Sequence, residues 1–298
     1  MEIAHDREAE EANSTVIFLH IGKTAGTSLR RVLRRNFRAS DTMLVRVHGR
    51  PREETLAQFA ALTVDARLSP RLIVGHTVFG LHEYVPRPAT YISMVRKPRS
   101  LVVSQYLFVR RTPGHRHHDL VTGKNMSIEQ YIQSGVSLEM DNSQTRAIAG
   151  DLSTLYGECT NEMLETAKRN IERDFSVVGL TERFDETLLL LQKVFGWSKL
   201  HYVRANVAPT SQPFTLSEEA TRLIAEHNQL DDELYRYVSM RFDEALARHP
   251  TFAEDLARFR RTNSLYRPWG TLTQLLPQRL AANVGLRGIA SRHRAPGL

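Results

Sequence analysis

A single cysteine, Cys159, occurs in the 298 residues of this chain. An internal disulfide is therefore excluded, as is a metal site built on several thiolates, and the sequence fits a reducing compartment. Its apolar runs are much shorter than the roughly 20 residues that a helix needs to cross a bilayer. The N-terminal segment, residues 1–14, is acidic and polar, which predicts disorder rather than a secretory signal or a membrane anchor.

Motifs that bind nucleic acids are also missing from the sequence, which has no zinc-finger spacing, no RNP-like aromatic motif and no basic-zipper heptad. We therefore expect no nucleic-acid partner. The formal net charge of +7 favours anionic ligands in general without indicating which ones.

The composition allows one large domain, because 41% of the residues are hydrophobic and can bury a substantial core. We expect one α/β domain over residues 15–262, with helices at its C-terminal end. Residues 263–298 are predicted to form a basic tail, since no acidic residue follows Asp255 while eight arginines do. A flexible arm, a membrane-surface contact and a grip on an acidic glycan all stay open for this tail.

The segment of residues 15–29 changes its periodicity in a way that predicts a strand, a loop and a helix. A short β-branched run ends at Gly22, and apolar residues then recur at helical spacing. Gly22 and Gly26 let the backbone approach a ligand, and the unpaired N–H groups of a first helical turn attract an anion. The hydroxyl residues of the loop and the charge of Lys23 add donors. The segment therefore predicts an anion-binding loop.

The order of residues in this loop differs from that of a Walker phosphate loop, in which the lysine follows the second glycine. Here Lys23 follows the first glycine, Gly22. A general phosphate-binding loop is therefore favoured over an ATPase. The alternative is that Lys23 is a solvated residue in an ordinary strand-to-helix turn.

The loop sequence HIGKTAGTSL, residues 20–29, resembles the 5′-phosphosulfate loop of sulfotransferases that use 3′-phosphoadenosine 5′-phosphosulfate (PAPS). It is similar to the carbohydrate branch that includes heparan sulfate 2-O-sulfotransferase, whose loop usually reads IPKTGGTS. Gly22 stands for proline and restores an N–H donor, and Ala25 stands for glycine, which is tolerated if the φ of Ala25 is negative. The resemblance implies that the donor is bound by Gly22, Lys23, Thr24, Ala25, Gly26, Thr27 and Ser28.

Two histidines, His76 and His82, follow the end of a predicted buried strand, where open α/β sheets place their ligands. A lone histidine is more often structural than catalytic. The segment beginning at Gly75, however, resembles the glycine-histidine segment of the same sulfotransferases, whose histidine is taken as the catalytic base. The resemblance implies His76 as the base and His82 as a second candidate, which could instead orient the acceptor or pack against the loop.

Arg96 follows another predicted strand, and Ser104 lies eight residues further on, about two turns into a helix that begins near Pro98. The pair resembles the family's 3′-phosphate site, in which an arginine and a serine hold the extra phosphate of PAPS. A guanidinium suits a phosphate because it can donate two hydrogen bonds. A structural salt bridge is the alternative for Arg96. A metal-dependent kinase usually has a carboxylate at this strand end, which is occupied here by the arginine.

Three further segments carry weaker predictions. The unit VGLTERFDE also resembles the family, which implies that Arg183 lies near the nucleotide. Residues 141–150 resemble an acceptor-side segment of the family and otherwise predict an ordinary polar helix. The histidine-rich residues 113–119 could bind zinc, although a glycine-containing polar loop is more often solvated.

The resemblance covers residues 15–240 and implies a P-loop-like, three-layer α/β fold with a central, mostly parallel sheet. It implies sulfuryl transfer from PAPS to a hydroxyl of a carbohydrate or glycolipid, with Lys23 and His76 catalytic and no metal. With no anchor in the sequence, we expect a bacterial, cytoplasmic protein. The acceptor and the oligomeric state stay open. The alternatives are a small-molecule kinase that uses the same loop, and a non-catalytic nucleotide- or glycan-binding protein.

Overall fold

A five-stranded sheet lies at the centre of the protein, in a computed structural model that describes residues 14–46, 52–76, 79–203 and 214–271. The strands are β1 (Thr15–Leu19), β2 (Thr42–Arg46), β3 (Leu72–His76), β4 (Ala89–Val95) and β5 (Phe175–Leu180). All neighbouring strands are parallel, in the order β2-β3-β1-β4-β5. The predicted α/β fold with a parallel central sheet is therefore confirmed.

The central strands are mostly apolar because both of their faces are covered. Every residue of β1 is buried, and so are the first four residues of β3 and the last five of β4. Gly75 lets β2 approach β3 closely, since a Cβ atom built at this position would lie 1.7 Å from the carbonyl oxygen of Val45. Because the strands are parallel, their carboxyl ends share one edge of the sheet.

Helices connect the strands and form most of the C-terminal half. They are α1 (Gly26–Asn36), α2 (Arg52–Ala60), α3 (Val64–Leu68), α4 (Pro98–Arg111), α5 (His118–Gly123), α6 (Ile128–Gln133), α7 (Ser143–Ala149), α8 (Asn161–Asp174), α9 (Phe184–Phe195), α10 (Glu218–His227), α11 (Gln229–Ala247) and α12 (Phe252–Gly270). Several of them are preceded by capping residues; Ser127, for example, forms a capping box with Gln130 at the start of α6. The predicted helical C-terminal part is confirmed.

The boundary between the predicted domain and the predicted basic tail does not coincide with the end of a helix. Helix α12 begins at Phe252 and continues to Gly270, across the predicted boundary at residue 262. The predicted disorder of residues 1–13 and the rest of the predicted tail, from residue 272, lie outside the described residues. The domain boundaries therefore stay a prediction.

Two hydrophobic clusters stabilise the fold. The larger one surrounds the sheet, and the smaller one is built by α4, α5, α6 and α10 around Tyr106, Tyr131 and Leu223. Helix α4 begins directly after β4, at the edge where the strands end, and contributes Val102, Tyr106 and Val109 to the smaller cluster. This helix therefore joins the sheet edge to the helical part of the molecule.

Candidate active site

The predicted anion-binding loop, residues 20–25 and here named the phosphate loop, connects the end of β1 to the start of α1. Thr24 is fully buried, and its hydroxyl donates a hydrogen bond of 2.9 Å to the carbonyl oxygen of Ile21. The backbone N–H of Ser28 donates to the carbonyl oxygen of Ala25, also at 2.9 Å. These contacts close the loop from within. Thr24 can therefore reach a ligand only through its backbone.

Two non-glycine residues of this loop adopt left-handed backbone conformations. The φ of Lys23 is +63° and that of Ala25 is +62°. The expectation of a negative φ at Ala25 is therefore wrong. Glycine adopts this conformation without steric cost, which explains why the related loops have glycine at the same place. Ala25 of this chain therefore has a strained backbone conformation.

The backbone N–H groups from Gly22 to Thr27 all lack an acceptor within the described part of the chain. The last two belong to the first turn of α1, whose N-terminus carries the positive end of the helix dipole. Six consecutive free donors beside a helix N-terminus form a concave anion site. The arrangement supports the predicted anion-binding loop, and the binding of an anion there stays a prediction.

Lys23 projects from this loop onto an aromatic ring. Its Nζ atom lies 3.9 Å from the centre of the Phe108 ring on α4. Burial lowers the pKa of Lys23 to about 8, with further lowering by Arg111 and Arg96, while Glu139 opposes the shift. The ammonium group is therefore still charged near neutral pH but poorly solvated, a state in which it interacts strongly with an anion.

Arg96 follows β4 and contacts the phosphate loop directly. One guanidinium nitrogen, Nη1, donates a hydrogen bond of 3.0 Å to the carbonyl oxygen of Lys23. The Nε atom of Arg96 is buried and has no hydrogen-bond partner among the described residues. Burial lowers the pKa of Arg96 from its usual value, and the charge of Glu182 opposes this shift. A buried cationic donor without an acceptor, beside free amides, fits an anionic ligand.

Ser104 lies on α4, half-buried, and its hydroxyl makes no hydrogen bond to a described residue. It precedes Phe108 by four residues, so both side chains lie on the same face of the helix. Since Phe108 contacts Lys23, this face is turned towards the phosphate loop. The structure thus brings Ser104 to the same region as Lys23 and Arg96.

His76 is the last residue of β3 and is exposed at the edge where the strands end. Its ring stacks on that of His20, with ring centres 4.5 Å apart and planes at 19°. Burial, followed by the charges of His76, Arg30 and Lys23, lowers the pKa of His20 to about 3. His20 was not predicted from the sequence. Its place in the site depends on its contact with His76, which exists only because β1 lies beside β3.

His82 lies away from His76, so its assignment as a second catalytic histidine is not supported. Its Nδ1 atom is 3.2 Å from the Tyr91 hydroxyl oxygen, and its Nε2 atom is 3.9 Å from a carboxylate oxygen of Asp174. Tyr91 is level with Ile73 in the sheet, three residues or about 10 Å before His76 along the strand direction. His82 contacts Tyr91 and Asp174, which gives it a structural role.

Arg183 is held by two carboxylates. Its Nε atom donates a hydrogen bond of 2.6 Å to Glu186, and it forms an ion pair with Asp243. The guanidinium also lies over the ring of Phe242, at 5.0 Å. These contacts give Arg183 a structural role between α9 and α11, and its contact with a nucleotide stays a prediction.

Residues 141–146 form a buried polar network rather than an ordinary polar helix. The Gln144 side chain accepts a hydrogen bond of 2.7 Å from the Arg96 backbone N–H and donates one of 2.9 Å to the Arg96 carbonyl oxygen. Asp231, fully buried, accepts from the N–H groups of Gln144 and Thr145 at the start of α7. Burial raises the pKa of Asp231. This network fixes the backbone that carries the Arg96 guanidinium, and an acceptor contact of the segment stays a prediction.

The same network holds a fully buried arginine, Arg146. It pairs with Asp141 at 2.5 Å and donates to the carbonyl oxygens of Thr154, at 2.6 Å, and Leu155, at 2.8 Å. A charge at this depth is tolerated because all these acceptors surround it. The loop around α7 is therefore anchored by one side chain.

Each histidine of the histidine-rich loop, residues 113–119, contacts a different residue of the surrounding helices. The Nδ1 atom of His117 is 2.7 Å from the Tyr131 hydroxyl oxygen, and that of His118 is 2.9 Å from the Val109 carbonyl oxygen. His115 packs edge-on against Phe108, the ring that also contacts Lys23. Within the described residues, no cluster of three histidine, cysteine or acidic side chains could hold a metal ion.

No helix in the described part of the chain combines the length and the apolar character needed to cross a membrane.

Comparison with known proteins gives a match over most of the chain. The family model described as galactose-3-O-sulfotransferase matches residues 3–265. Galactose-3-O-sulfotransferase 3 of Mus musculus is 26% identical over 251 residues, which cover 78% of this chain and 57% of that protein. Heparan-sulfate 6-O-sulfotransferase 1 of Gallus gallus is 26% identical over 285 residues, which cover 79% of this chain and 67% of that protein.

A third similar protein is heparin sulfate O-sulfotransferase of Drosophila melanogaster, which is 26% identical over 194 residues. These residues cover 59% of this chain and 55% of that protein. The chain thus spans little more than half the length of two of these relatives.

Proposed function

The chain belongs to the galactose-3-O-sulfotransferase family, and from this premise we propose that it transfers the sulfuryl group of PAPS to a hydroxyl of a carbohydrate or glycoconjugate. The relatives are named for acceptors that are carbohydrates, which supports this acceptor class. Glycolipids belong to the same class, because they present sugar hydroxyls. A cytoplasmic location remains part of the proposal.

The contact between Arg96 and Lys23 is the observation that carries the proposal. It places the buried, unpartnered Nε atom of Arg96 beside the free amides of the phosphate loop. Two anionic groups of one ligand can then be held at once, as a nucleotide with a 3′-phosphate and a 5′-phosphosulfate requires. We assign the 5′ group to the loop amides, Lys23 and Thr27, and the 3′-phosphate to Arg96 and Ser104.

The proposed reaction is an in-line displacement at sulfur. His76 accepts the proton of the acceptor hydroxyl while the hydroxyl oxygen forms its bond to sulfur. The bond between sulfur and the bridging oxygen breaks, and its electron pair stays on the 5′-phosphate. Lys23 and the loop amides stabilise the negative charge that develops on this oxygen. Their fixed positions at the sheet edge supply the alignment.

A transfer assay tests the proposal directly. PAPS labelled in its sulfuryl group is incubated with the purified chain and with galactosides, heparan sulfate and glycolipids in turn. We expect label in at least one sugar acceptor, and at least about a hundredfold slower labelling with His76→Ala. His82→Ala, which changes a histidine away from the site, is the matched control and should keep the transfer. Binding of adenosine 3′,5′-bisphosphate without transfer to any acceptor would instead support a non-catalytic binding protein.

A further inference from the structure

Three rings form a continuous stack from the core to the sheet edge. Phe18 is fully buried in β1, and its ring centre lies 5.2 Å from that of His20, with planes at 18°. His20 stacks in turn on His76 at 4.5 Å. The exposed histidine thus rests on a ring that itself rests on the core.

The parallel pairing of β1 and β3 produces this stack. Leu19 pairs with Gly75, so the following residues, His20 and His76, are neighbours, and the His20 N–H donates to the Gly75 carbonyl oxygen at 3.3 Å. Side chains two residues apart on a strand share a face, which places Phe18 and His20 on the same side. The stack is therefore fixed by the sheet and not by a mobile segment.

His20 also contacts the phosphate loop. A Cβ atom built on Gly26 would lie 2.0 Å from both Cδ2 and Nε2 of the His20 ring. The ring therefore fills the space that a side chain at the start of α1 would need. One imidazole touches the loop assigned to the donor and the histidine assigned as base.

The surroundings of His20 suit a neutral packing group and not a second base. Its ring makes no hydrogen bond to a described residue, and it is buried beside Arg30, Lys23 and His76, which all disfavour its protonation. A neutral aromatic ring can face an imidazolium favourably, whereas a second charged ring would repel it. His20 can therefore remain in contact with His76 before and after His76 takes a proton.

We propose that His20 is a positioning residue, whose ring fixes the imidazole of His76 at a set distance from the phosphate loop. The inference rests on the proposed sulfuryl transfer. It assigns a role to a side chain that contacts neither the reacting sulfur nor the acceptor oxygen. Alignment of this kind affects the chemical step because a misplacement of about 1 Å can reduce a rate about 10²-fold.

The test compares His20→Ala with His20→Phe, which keeps a flat ring without the nitrogen atoms. We expect kcat to fall about 10²-fold in His20→Ala, with adenosine 3′,5′-bisphosphate binding in calorimetry close to that of the parent chain. His20→Phe should recover most of the lost kcat, because stacking requires the ring and not its protons. If His20 only supported the fold, His20→Phe would not restore kcat while donor binding stayed constant in all variants.

A spectroscopic measurement needs no substrate. The ring protons of His76, observed by NMR, should lose a ring-current shift in His20→Ala and retain it in His20→Phe. Gly26→Ala should displace the same ring and change the His76 resonances in the parent chain but little in the His20→Ala background.

Three results would overturn the inference. They are a normal kcat in His20→Ala, a loss of donor affinity that accompanies the loss of kcat in that variant, and His76 resonances that do not change in His20→Ala. A parent chain that transfers no sulfuryl group would contradict the proposed function itself, which the transfer assay reports separately.

Discussion

The guanidinium of Arg96 donates a hydrogen bond to the carbonyl oxygen of Lys23, so the end of β4 is tied to the loop that follows β1. The two strands are neighbours in the sheet, which brings these residues together although 73 positions separate them. A single nucleotide can therefore contact both the loop and the arginine. The first prediction follows from this contact between Arg96 and the loop.

Arg96→Ala should remove most of the preference for a nucleotide with a 3′-phosphate. The parent chain should bind adenosine 3′,5′-bisphosphate far more tightly than AMP. A charge-assisted contact contributes about 1.5–3 kcal/mol, so we expect roughly a tenfold to hundredfold loss of bisphosphate affinity in calorimetry. Arg183→Ala is the matched control and should lose much less, since carboxylates already hold that guanidinium. Equal affinity of the parent chain for AMP and the bisphosphate would contradict the assignment.

Lys23→Ala should slow turnover by about two to three orders of magnitude, with a smaller effect on bisphosphate affinity. The ammonium group acts only when protonated, and burial lowers its pKa to about 8. The value of kcat/KM, which reports the free enzyme, should therefore fall as the pH rises through about 8. Lys23→Arg, if active, should not show this alkaline decrease, because a guanidinium stays charged. A decrease that persists in Lys23→Arg would assign it to another group.

His76→Ala should reduce turnover by about 10²–10⁴-fold and leave bisphosphate binding unchanged, because the imidazole is proposed to contact the acceptor. A histidine base works only in its neutral form, so the parent chain should lose activity as the pH falls. Steady-state rates across the pH range check both points. If His82→Ala, and not His76→Ala, abolished turnover and the acidic decrease, the base would be assigned to the wrong residue.

Ala25→Gly should stabilise the protein despite the usual cost of glycine. Relief of the left-handed conformation is worth about 1–2 kcal/mol and the added chain entropy costs about 0.5–1 kcal/mol, which leaves a gain of about 0.5–1 kcal/mol. Ala57→Gly, in the exposed middle of α2, is the matched control and should cost about 1 kcal/mol. Denaturant unfolding of both variants measures the difference. A similar loss at both positions would argue against strain at Ala25.

The family is predictable because short motifs carry it, and the roles of the residues in these motifs stay predictions. Residues 20–29 carry the first resemblance to carbohydrate sulfotransferases, and the family match confirms that the chain belongs to a family of this kind. Lys23 and Arg96 follow buried strands and His76 ends one, so a parallel sheet brings all three to one edge. Bacterial origin stays a prediction.

The features that the sequence analysis missed depend on neighbours that are distant in the chain. His20 is significant only because β3 lies beside β1, and sequence spacing does not contain the strand order. His82 follows His76 closely in the sequence, but it contacts Tyr91 and Asp174, whereas His76 ends β3. The segment around Gln144 is polar, which predicts exposure, yet Asp231 satisfies its N–H groups from 86 and 87 residues away. The φ of Ala25 could not be inferred, because alanine normally avoids that value.

The buried carboxylate of Asp231 has a consequence for genetic studies of this protein. It is fully shielded from solvent and cannot touch a bound nucleotide, yet it caps the short helix whose Gln144 clamps the Arg96 backbone. A screen of random variants for loss of nucleotide binding would therefore recover substitutions at Asp231 together with those at Arg96. Variant maps drawn from such a screen would extend the apparent ligand site to a side chain of α11 that is fully shielded from solvent.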